Sequence, residues 1–154
     1  MSGGNDRTVR LWNPRSGQQI ASFTGHSYEV LDVSISFDNA RFSSCGKEKT
    51  ILLWDVETAS NGATRRIRGH DQTINAVAFN ETATLLLSGS EDRTVKIWDL
   101  ASRGYEPLQV LSEAADSITS VLVKGHEIFT GWVPDLMLVG WLKLSRELTT
   151  REAL

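Results

Sequence analysis

Two markers recur along the chain in a fixed phase, and this internal repeat constrains the fold more than any other feature. Tryptophans stand at positions 12, 54 and 98, so successive copies are 42 and 44 residues apart. Gly-His pairs end at His26 and His70, and each of these histidines precedes a marker tryptophan by 28 residues. Repeats of this length are typical of architectures built from many copies of one small unit.

The apolar residues within each repeat follow the two-residue period of β-strands. The run from Ile74 to Phe79 leads into a polar turn at 80–83, and short apolar runs follow at 85–88 and 95–98. No part of the repeats carries a sustained apolar face at helical spacing. The sequence therefore predicts an all-β fold, in which each repeat is an antiparallel sheet of about four strands, the pattern of a propeller blade.

The repeat boundaries predict two complete blades, residues 25–68 and 69–112, with partial blades at 1–24 and 113–131. Together they form a propeller segment over residues 1–131. At about 40–45 residues per repeat, the chain holds too few blades to close a ring, which needs at least about four. Periodicity stops after residue 131, so a divergent, irregular C-terminal tail is expected over 132–154. Two explanations of the tail stay open, an altered C-terminus and a genuine short cap.

Composition narrows the function classes. Hydrophobic residues make up 40% of the chain, and 16 basic and 19 acidic residues give a net charge of −3. This charge does not favour a generic nucleic-acid binder or attachment to an anionic membrane. Cys45 is the single cysteine, so an internal disulfide is excluded. The first residues lack the apolar core of a secretory signal, and the longest apolar stretch, 132–144, is too short and too polar to span a bilayer.

The order Gly-His followed by Trp-Asp, with the tryptophan 28 positions after the histidine, resembles the signature of WD-repeat proteins over residues 1–131. Three segments, residues 25–32, 36–39 and 104–109, further resemble the mitogen-activated protein kinase organiser family. That resemblance implies a non-enzymatic scaffold with MAP-kinase cascade or spliceosomal proteins as partners, in the cytoplasm and the nucleus. It also implies a seven-bladed propeller. We expect no cofactor, no small-molecule substrate and no membrane partner, and direct nucleic-acid binding is not expected.

The WD-repeat resemblance also implies a buried, hydrogen-bonded set of His, Ser or Thr, Asp and Trp in each blade, called the tetrad below. In blade 69–112 the matching residues are His70, Ser88, Asp92 and Trp98. In blade 25–68 they are His26, Ser44, Glu48 and Trp54, and in partial blade 1–24 they are Asp6 and Trp12. Glu48 replaces the expected Asp with one more methylene, which leaves two outcomes open, a distorted tetrad or none.

Other chemistry is not favoured by these residues. Ser, His and Asp together invite comparison with hydrolases, but the set recurs in each blade and no Gly-x-Ser-x-Gly elbow accompanies it. His26, His70 and His126 lack the spacing of metal ligands, so no metal site is expected. The basic run Arg65–Arg68 is interpreted as a solvated strand edge, with contact to RNA or to an acidic partner left open.

Loops on a rigid scaffold commonly carry binding, and in WD-repeat proteins they do so at one rim of the propeller channel. The resemblance places rim positions three and five residues after each repeat histidine and just before the tetrad carboxylate. The candidate rim residues are Asn5, Glu29, Leu31, Lys47, Thr73, Asn75, Glu91, Ser117 and Thr119. Their mixed charge and single apolar member suit a protein surface better than a phosphate track.

Two function hypotheses follow from these observations. The leading one is a non-enzymatic protein-interaction scaffold of the WD-repeat class. The alternative is a truncated or mis-spliced propeller fragment that has no autonomous function.

Overall fold

Four antiparallel sheets make up the part of the chain that the computed structural model describes, which is residues 1–58, 62–102, 104, 106–125, 127–132 and, for the backbone alone, 139–143. Two of the sheets have four strands each. When the sheets are numbered in chain order, the second sheet has the order β4 (Val30–Ile35), β5 (Arg41–Gly46), β6 (Thr50–Asp55) and β7 (Arg65–Arg68). The third sheet repeats that order with β8 (Ile74–Phe79), β9 (Leu85–Ser90), β10 (Val95–Asp99) and β11 (Gln109–Leu111).

Sheets of three described strands flank these two. The first sheet contains β1 (Ser2–Gly3), β2 (Thr8–Trp12) and β3 (Gln19–Thr24). The fourth sheet contains β12 (Ile118–Lys124), β13 (Glu127–Trp132) and β14 (Val139–Lys143). The predicted all-β fold, with two complete four-stranded blades and two partial ones, is confirmed. No helix in the described ranges is long and apolar enough to cross a membrane.

The last strand differs from the expectation of an irregular tail. β14 lies within residues 132–154 and pairs antiparallel with β13, from Gly131 opposite Val139 to Glu127 opposite Lys143. Such pairing uses backbone groups, which the edge of β13 offers whether or not the repeat signature continues. The rest of the predicted tail, residues 133–138 and 144–154, lies outside the described residues.

Among the described residues, the core lies in three apolar layers between neighbouring sheets. Successive side chains on a strand point to opposite faces, so β6 serves two layers at once. Leu52 and Trp54 pack toward the first sheet against Val9, whereas Ile51 and Leu53 pack toward the third sheet against Ile74. A third layer, which includes Leu87 of β9 and Ile118 of β12, joins the third and fourth sheets. This burial of both faces explains why the inner strands are nearly continuous apolar runs.

A polar contact also joins the second and third sheets. Asp32 Oδ2 on β4 accepts a hydrogen bond from the N–H of Val77 on β8 at 2.9 Å, and Oδ1 accepts one from the N–H of Val33 at 2.8 Å. Val77 is 4% exposed, so its N–H depends on this carboxylate for a partner. The contact fixes the lateral position of β4 against β8.

We expect Asp32→Ala to lower the free energy of unfolding by about 1–3 kcal/mol, because the buried N–H of Val77 loses its acceptor. Urea denaturation measures the change. Asp71→Ala is the matched control, since the side chain of Asp71 is exposed and forms no ion pair within the described residues. Equal stability of the two variants would contradict the role of Asp32.

Candidate functional site

A chain of hydrogen bonds crosses the third sheet from a surface turn to a buried indole. His70, before β8, places Nδ1 2.7 Å from Asp92 Oδ2 and Nε2 2.7 Å from Ser88 Oγ. Trp98 Nε1 on β10 donates to the same Ser88 Oγ at 2.9 Å. A neutral imidazole with its proton on Nδ1 satisfies every member, because Nε2 then accepts the serine proton. The structure therefore brings all four predicted residues of this tetrad together.

The second sheet builds the same arrangement with a longer acid. His26 Nε2 lies 2.6 Å from Ser44 Oγ, which accepts the Trp54 indole N–H at 2.8 Å. Glu48 Oε1 contacts His26 Nδ1, but the two atoms lack hydrogen-bond geometry. Glu48 Oε2 accepts the N–H of Ser27 at 3.1 Å, as Asp92 does from Asp71 at 3.1 Å. Of the two outcomes left open by the sequence, the tetrad is present and its carboxylate end is distorted.

The extra methylene of Glu48 changes the partner of the neighbouring threonine. In the third sheet, Asp92 Oδ1 accepts both the N–H of Thr94 at 3.0 Å and its hydroxyl at 2.6 Å. In the second sheet, the hydroxyl of Thr50 donates instead to the backbone carbonyl of Glu48 at 3.2 Å. The tetrad of the third sheet is therefore the better satisfied of the two.

The recurring glycine has a packing reason. A Cβ on Gly25 would lie 2.9 Å from Cη2 of Trp54, and one on Gly69 would lie 2.7 Å from Cη2 of Trp98. Each tryptophan ring thus covers the glycine that precedes the tetrad histidine. Gly-His and the tryptophan recur in one phase because they are in contact in the folded blade.

The first sheet holds part of the pattern. Trp12 Nε1 donates to Ser2 Oγ at 2.8 Å, which makes Ser2 a residue that the sequence prediction missed. Its offset of ten residues from the tryptophan, shared by Ser44 and Ser88, was the available signal. Asp6 is exposed and bonds to Thr8 and Arg10, and these bonds, with that of Arg10 the largest, lower the pKa of Asp6 to about 2.

Burial sets the protonation of the tetrads. Loss of hydration lowers the pKa of His70 and of His26, although the neighbouring carboxylates act in the opposite direction. Burial alone would raise the pKa of Asp92, but the bonds from Thr94 and His70 outweigh it and lower the pKa to about 2. The folded state therefore holds a neutral imidazole beside a carboxylate.

This geometry serves the fold. Ser88 is fully buried, so its hydroxyl is out of reach of a substrate. Cys45 is also fully buried, and burial raises the pKa of its thiol well above the ordinary value. Within the ranges the structure describes, no group of three or more His, Cys, Asp or Glu could hold a metal ion. His126 lies outside the described residues.

The candidate rim residues lie at the strand ends next to the tetrad turns. Lys47 Nζ donates to Glu29 Oε1 at 3.3 Å, and the Lys47 N–H donates to the Glu29 carbonyl at 3.3 Å. The backbone N–H of Glu29 and the Lys47 ammonium lower the pKa of Glu29. Asn5 and Glu91 are exposed, whereas Thr73 and Ser117 are half-buried. The structure thus joins Glu29 and Lys47 directly, and the rim as a binding surface stays a prediction.

A bulge at the same place in three strands carries the other rim residues. The strand register shifts at Leu31 of β4, at Asn75 of β8 and at Thr119 of β12. A bulge turns the extra residue out of the regular ladder, and bulges are frequent beside functional sites. The sequence prediction found these positions by their offset from the histidine and missed the bulge that orients them.

Two of the three bulge residues are used inside the fold. Asn75 is half-buried, and its Nδ2 donates to the Ile118 carbonyl at 2.9 Å and to Ser117 Oγ at 3.3 Å, which ties the third sheet to the fourth. The hydroxyl of Thr119 donates to the Gly131 carbonyl at 3.1 Å. Leu31 is 43% exposed and has no polar group to satisfy.

We expect Ser88→Ala to lower the free energy of unfolding by about 1–3 kcal/mol for each group that loses its hydrogen-bond partner. These groups are the His70 Nε2 atom and the Trp98 indole N–H. Thermal and urea denaturation measure the loss. Ser112→Ala is the control, because Ser112 is exposed and no side-chain hydrogen bond involves it in the described ranges. A loss no larger than that of the control would show that the tetrad is dispensable.

We also expect stability to fall on acidification. The folded-state pKa of His26 and His70 lies below 6.5, so the unfolded chain takes up these protons at a higher pH than the folded chain does, and stability falls as the pH drops through 6.5. A second loss follows as the pH falls from 3.8 toward about 2, where Asp92 becomes protonated in the folded state. Urea titrations across this range measure both steps. In His26→Gln/His70→Gln the first step should flatten, and an unchanged slope would refute the assignment.

Comparisons with known proteins agree with this geometry. Residues 17–55 and 62–99, together half of the chain, match the family model described as "WD domain, G-beta repeat". The chain is 40% identical over 129 residues to the WD repeat domain-containing protein 83 homolog of Dictyostelium discoideum, with 83% of this chain and 39% of the relative covered.

The chain is also similar to two relatives whose names describe other proteins. Identity is 32% over 147 residues to the guanine nucleotide-binding protein subunit beta of Oryza sativa subsp. japonica, covering 86% of this chain and 38% of the relative. Identity is 30% over 132 residues to the autophagy-related protein 16 of Arabidopsis thaliana, covering 84% of this chain and 25% of that relative. The chain thus spans less than two fifths of each of these three relatives. With its repeats matched and its tetrads formed, the chain belongs to the WD-repeat family.

Proposed function

We propose that the chain is a non-enzymatic, protein-binding scaffold of the WD-repeat class that contacts its partner through the rim at Glu29, Leu31 and Lys47. WD-repeat proteins generally bind other proteins and are generally not enzymes. The single observation that carries the choice of rim is the exposed apolar side chain of Leu31, held on a bulge at the start of β4.

The surroundings of Leu31 resemble a small interface. An apolar side chain flanked by a charged pair combines a group that gains from burial with groups that set orientation. The rigidity behind it comes from Val30, which is 4% exposed and packs in the layer between the first and second sheets. A partner can therefore bury Leu31 without reordering the strand, which lowers the entropic cost of binding.

A more specific part of the proposal concerns which proteins are the partners. The resemblance of residues 25–32, 36–39 and 104–109 to the mitogen-activated protein kinase organiser family supports kinase-cascade or pre-mRNA splicing proteins as partners. It supports action in the cytoplasm and the nucleus as well. The two kinds of partner are distinguishable by what the chain captures.

The test is capture of partners by the full chain and by Leu31→Glu, with quantitative mass spectrometry of the bound proteins. A charge placed on a buried contact is costly, so we expect recovery of kinase-cascade or spliceosomal proteins to fall at least about tenfold in the variant. Leu108→Glu is the matched control. Leu108 is 36% exposed and lies at the opposite end of the third sheet, beside the first residue of β11.

Each outcome decides a point. Equal recovery by wild type and Leu31→Glu would refute the rim assignment. Recovery of neither kind of partner, from a chain that melts cooperatively, would refute the more specific part of the proposal. Aggregation without a cooperative melt would favour the alternative, a propeller fragment with no autonomous function.

A further inference from the structure

A cavity of about 360 Å³ opens between the tetrad turn of the second sheet and the end of β7. Its lining includes Ser27, Tyr28, Lys49, Arg66 and Arg68. Ser27 and Tyr28 directly precede the rim residue Glu29, and Lys49 follows Lys47 by two positions. The cavity therefore lies at the same end of the sheets as the proposed rim.

The positive charges of this cavity have no carboxylate partners in the described part of the chain. Lys49 Nζ donates to the backbone carbonyl of Asp71 at 2.7 Å, and Arg66 Nη2 donates to that of Gly25 at 3.2 Å. No hydrogen bond or ion pair of the Arg68 guanidinium is present among the described residues. Three cations thus converge on one opening in a chain whose net charge is −3.

The acid that lines the cavity with them is already in use. Glu48 also lines the cavity, but its Oε1 contacts the His26 ring and its Oε2 accepts the N–H of Ser27 at 3.1 Å. Neutralising the cations would pull Glu48 away from the tetrad. The charge of the site is therefore left for a ligand to balance.

The repeat supplies an internal comparison for the two arginines. Arg66 and Arg68 lie two positions apart on β7, so they project from one face of the strand, opposite Leu52 and Thr50. On β3 the corresponding residues are Ser22 and Thr24, which lie opposite Arg10 and Thr8. On the third sheet Val110 lies opposite Lys96, and Ser112 follows the strand. The blade forms without arginines at these positions, so packing does not require them.

The third arginine of the same run is used differently. Arg65 donates from Nη1 to the Ser102 carbonyl at 2.8 Å and from Nη2 to the Gly104 carbonyl at 2.5 Å. It ties β7 to the loop before β11 and does not line the cavity. Arg65 therefore serves the fold. Arg66 and Arg68 are exposed on the outer strand of the sheet, as the solvated-edge interpretation predicts, and they line the cavity.

We infer that this cavity binds an oxyanion on a partner peptide, either a phosphorylated side chain or a carboxylate. Guanidinium groups bind both in a forked, charge-assisted geometry, and the hydroxyls of Ser27 and Tyr28 line the same space as further donors. Glu29 and Glu48 beside it disfavour a long polyanion such as RNA. The inference rests on the proposed protein-binding function, to which it adds the chemical class of the partner segment.

The test uses the full chain, labelled with ¹⁵N and titrated with short alanine peptides that carry a central phosphoserine, glutamate or serine. We expect saturable shifts of the Ser27, Tyr28, Lys49 and Gly69 amides with the charged peptides. The apparent dissociation constant should rise with added salt. Phosphoserine binding alone assigns a phosphate ligand, and binding of both charged peptides assigns oxyanions in general.

Arg66→Gln/Arg68→Gln should weaken binding at least about tenfold. Arg15→Gln/Arg93→Gln removes the same charge from two exposed arginines outside the cavity and should bind as wild type does. Arg68→Gln alone is the second variant, because its guanidinium makes no bond in the described part of the fold.

Three results would overturn the inference: equal affinity of the double variant, equal binding of the serine peptide, or tighter binding of oligouridylate than of either charged peptide. Leu31→Glu separates the two proposals. It should lower partner capture at least about tenfold while leaving the charged-peptide shifts unchanged, so failure at the rim and failure at the cavity are distinguishable.

Discussion

Burial of both faces of the inner sheets is the constraint on which the rest of the structure depends. A strand such as β6, whose odd residues face one neighbour and even residues the other, has no side left for solvent. A buried polar group on such a strand is costly unless it finds a partner within the protein. Ser44 and Ser88 do so by accepting an indole N–H and bonding to an imidazole, which carries the network from the centre of the sheet to the turns. Only loops and strand ends remain to contact other molecules.

Much of this follows from the sequence because the tetrad lies within one repeat. The distances along the chain from tryptophan to serine and to acid are the same in each copy, so one copy predicts the next. Ser2 could have been found by that rule. Glu48 shows the limit of this spacing rule. The spacing predicts which residue faces the histidine, but it does not determine whether a side chain with one more methylene keeps hydrogen-bond geometry.

Contacts between different repeats could not be predicted from the spacing within one repeat. The carboxylate of Asp32 serves an N–H 45 residues away, and the amide of Asn75 serves a carbonyl 43 residues away. Neither partner is a side chain, so no residue type in the sequence marks it. The same holds for β14, which pairs through backbone groups where the repeat signature has ended. Asn75 thus has the sequence position of a rim residue and the bonds of a residue that joins two sheets.

The repeat itself separates residues that build the blade from residues that are available to a partner. Gly, His, Ser and Trp recur because each touches another member of the set, and replacing one leaves its partners unsatisfied. Positions that are equivalent in geometry but differ in residue type are under no such requirement. Leu31 stands where its neighbours have Asn75 and Thr119, and Arg66 and Arg68 stand where other outer strands have small or apolar residues. A side chain that departs from its equivalents and forms no ion pair among the described residues is therefore the strongest candidate for contact with another molecule, and Leu31, Arg66 and Arg68 all lie at one end of the second sheet.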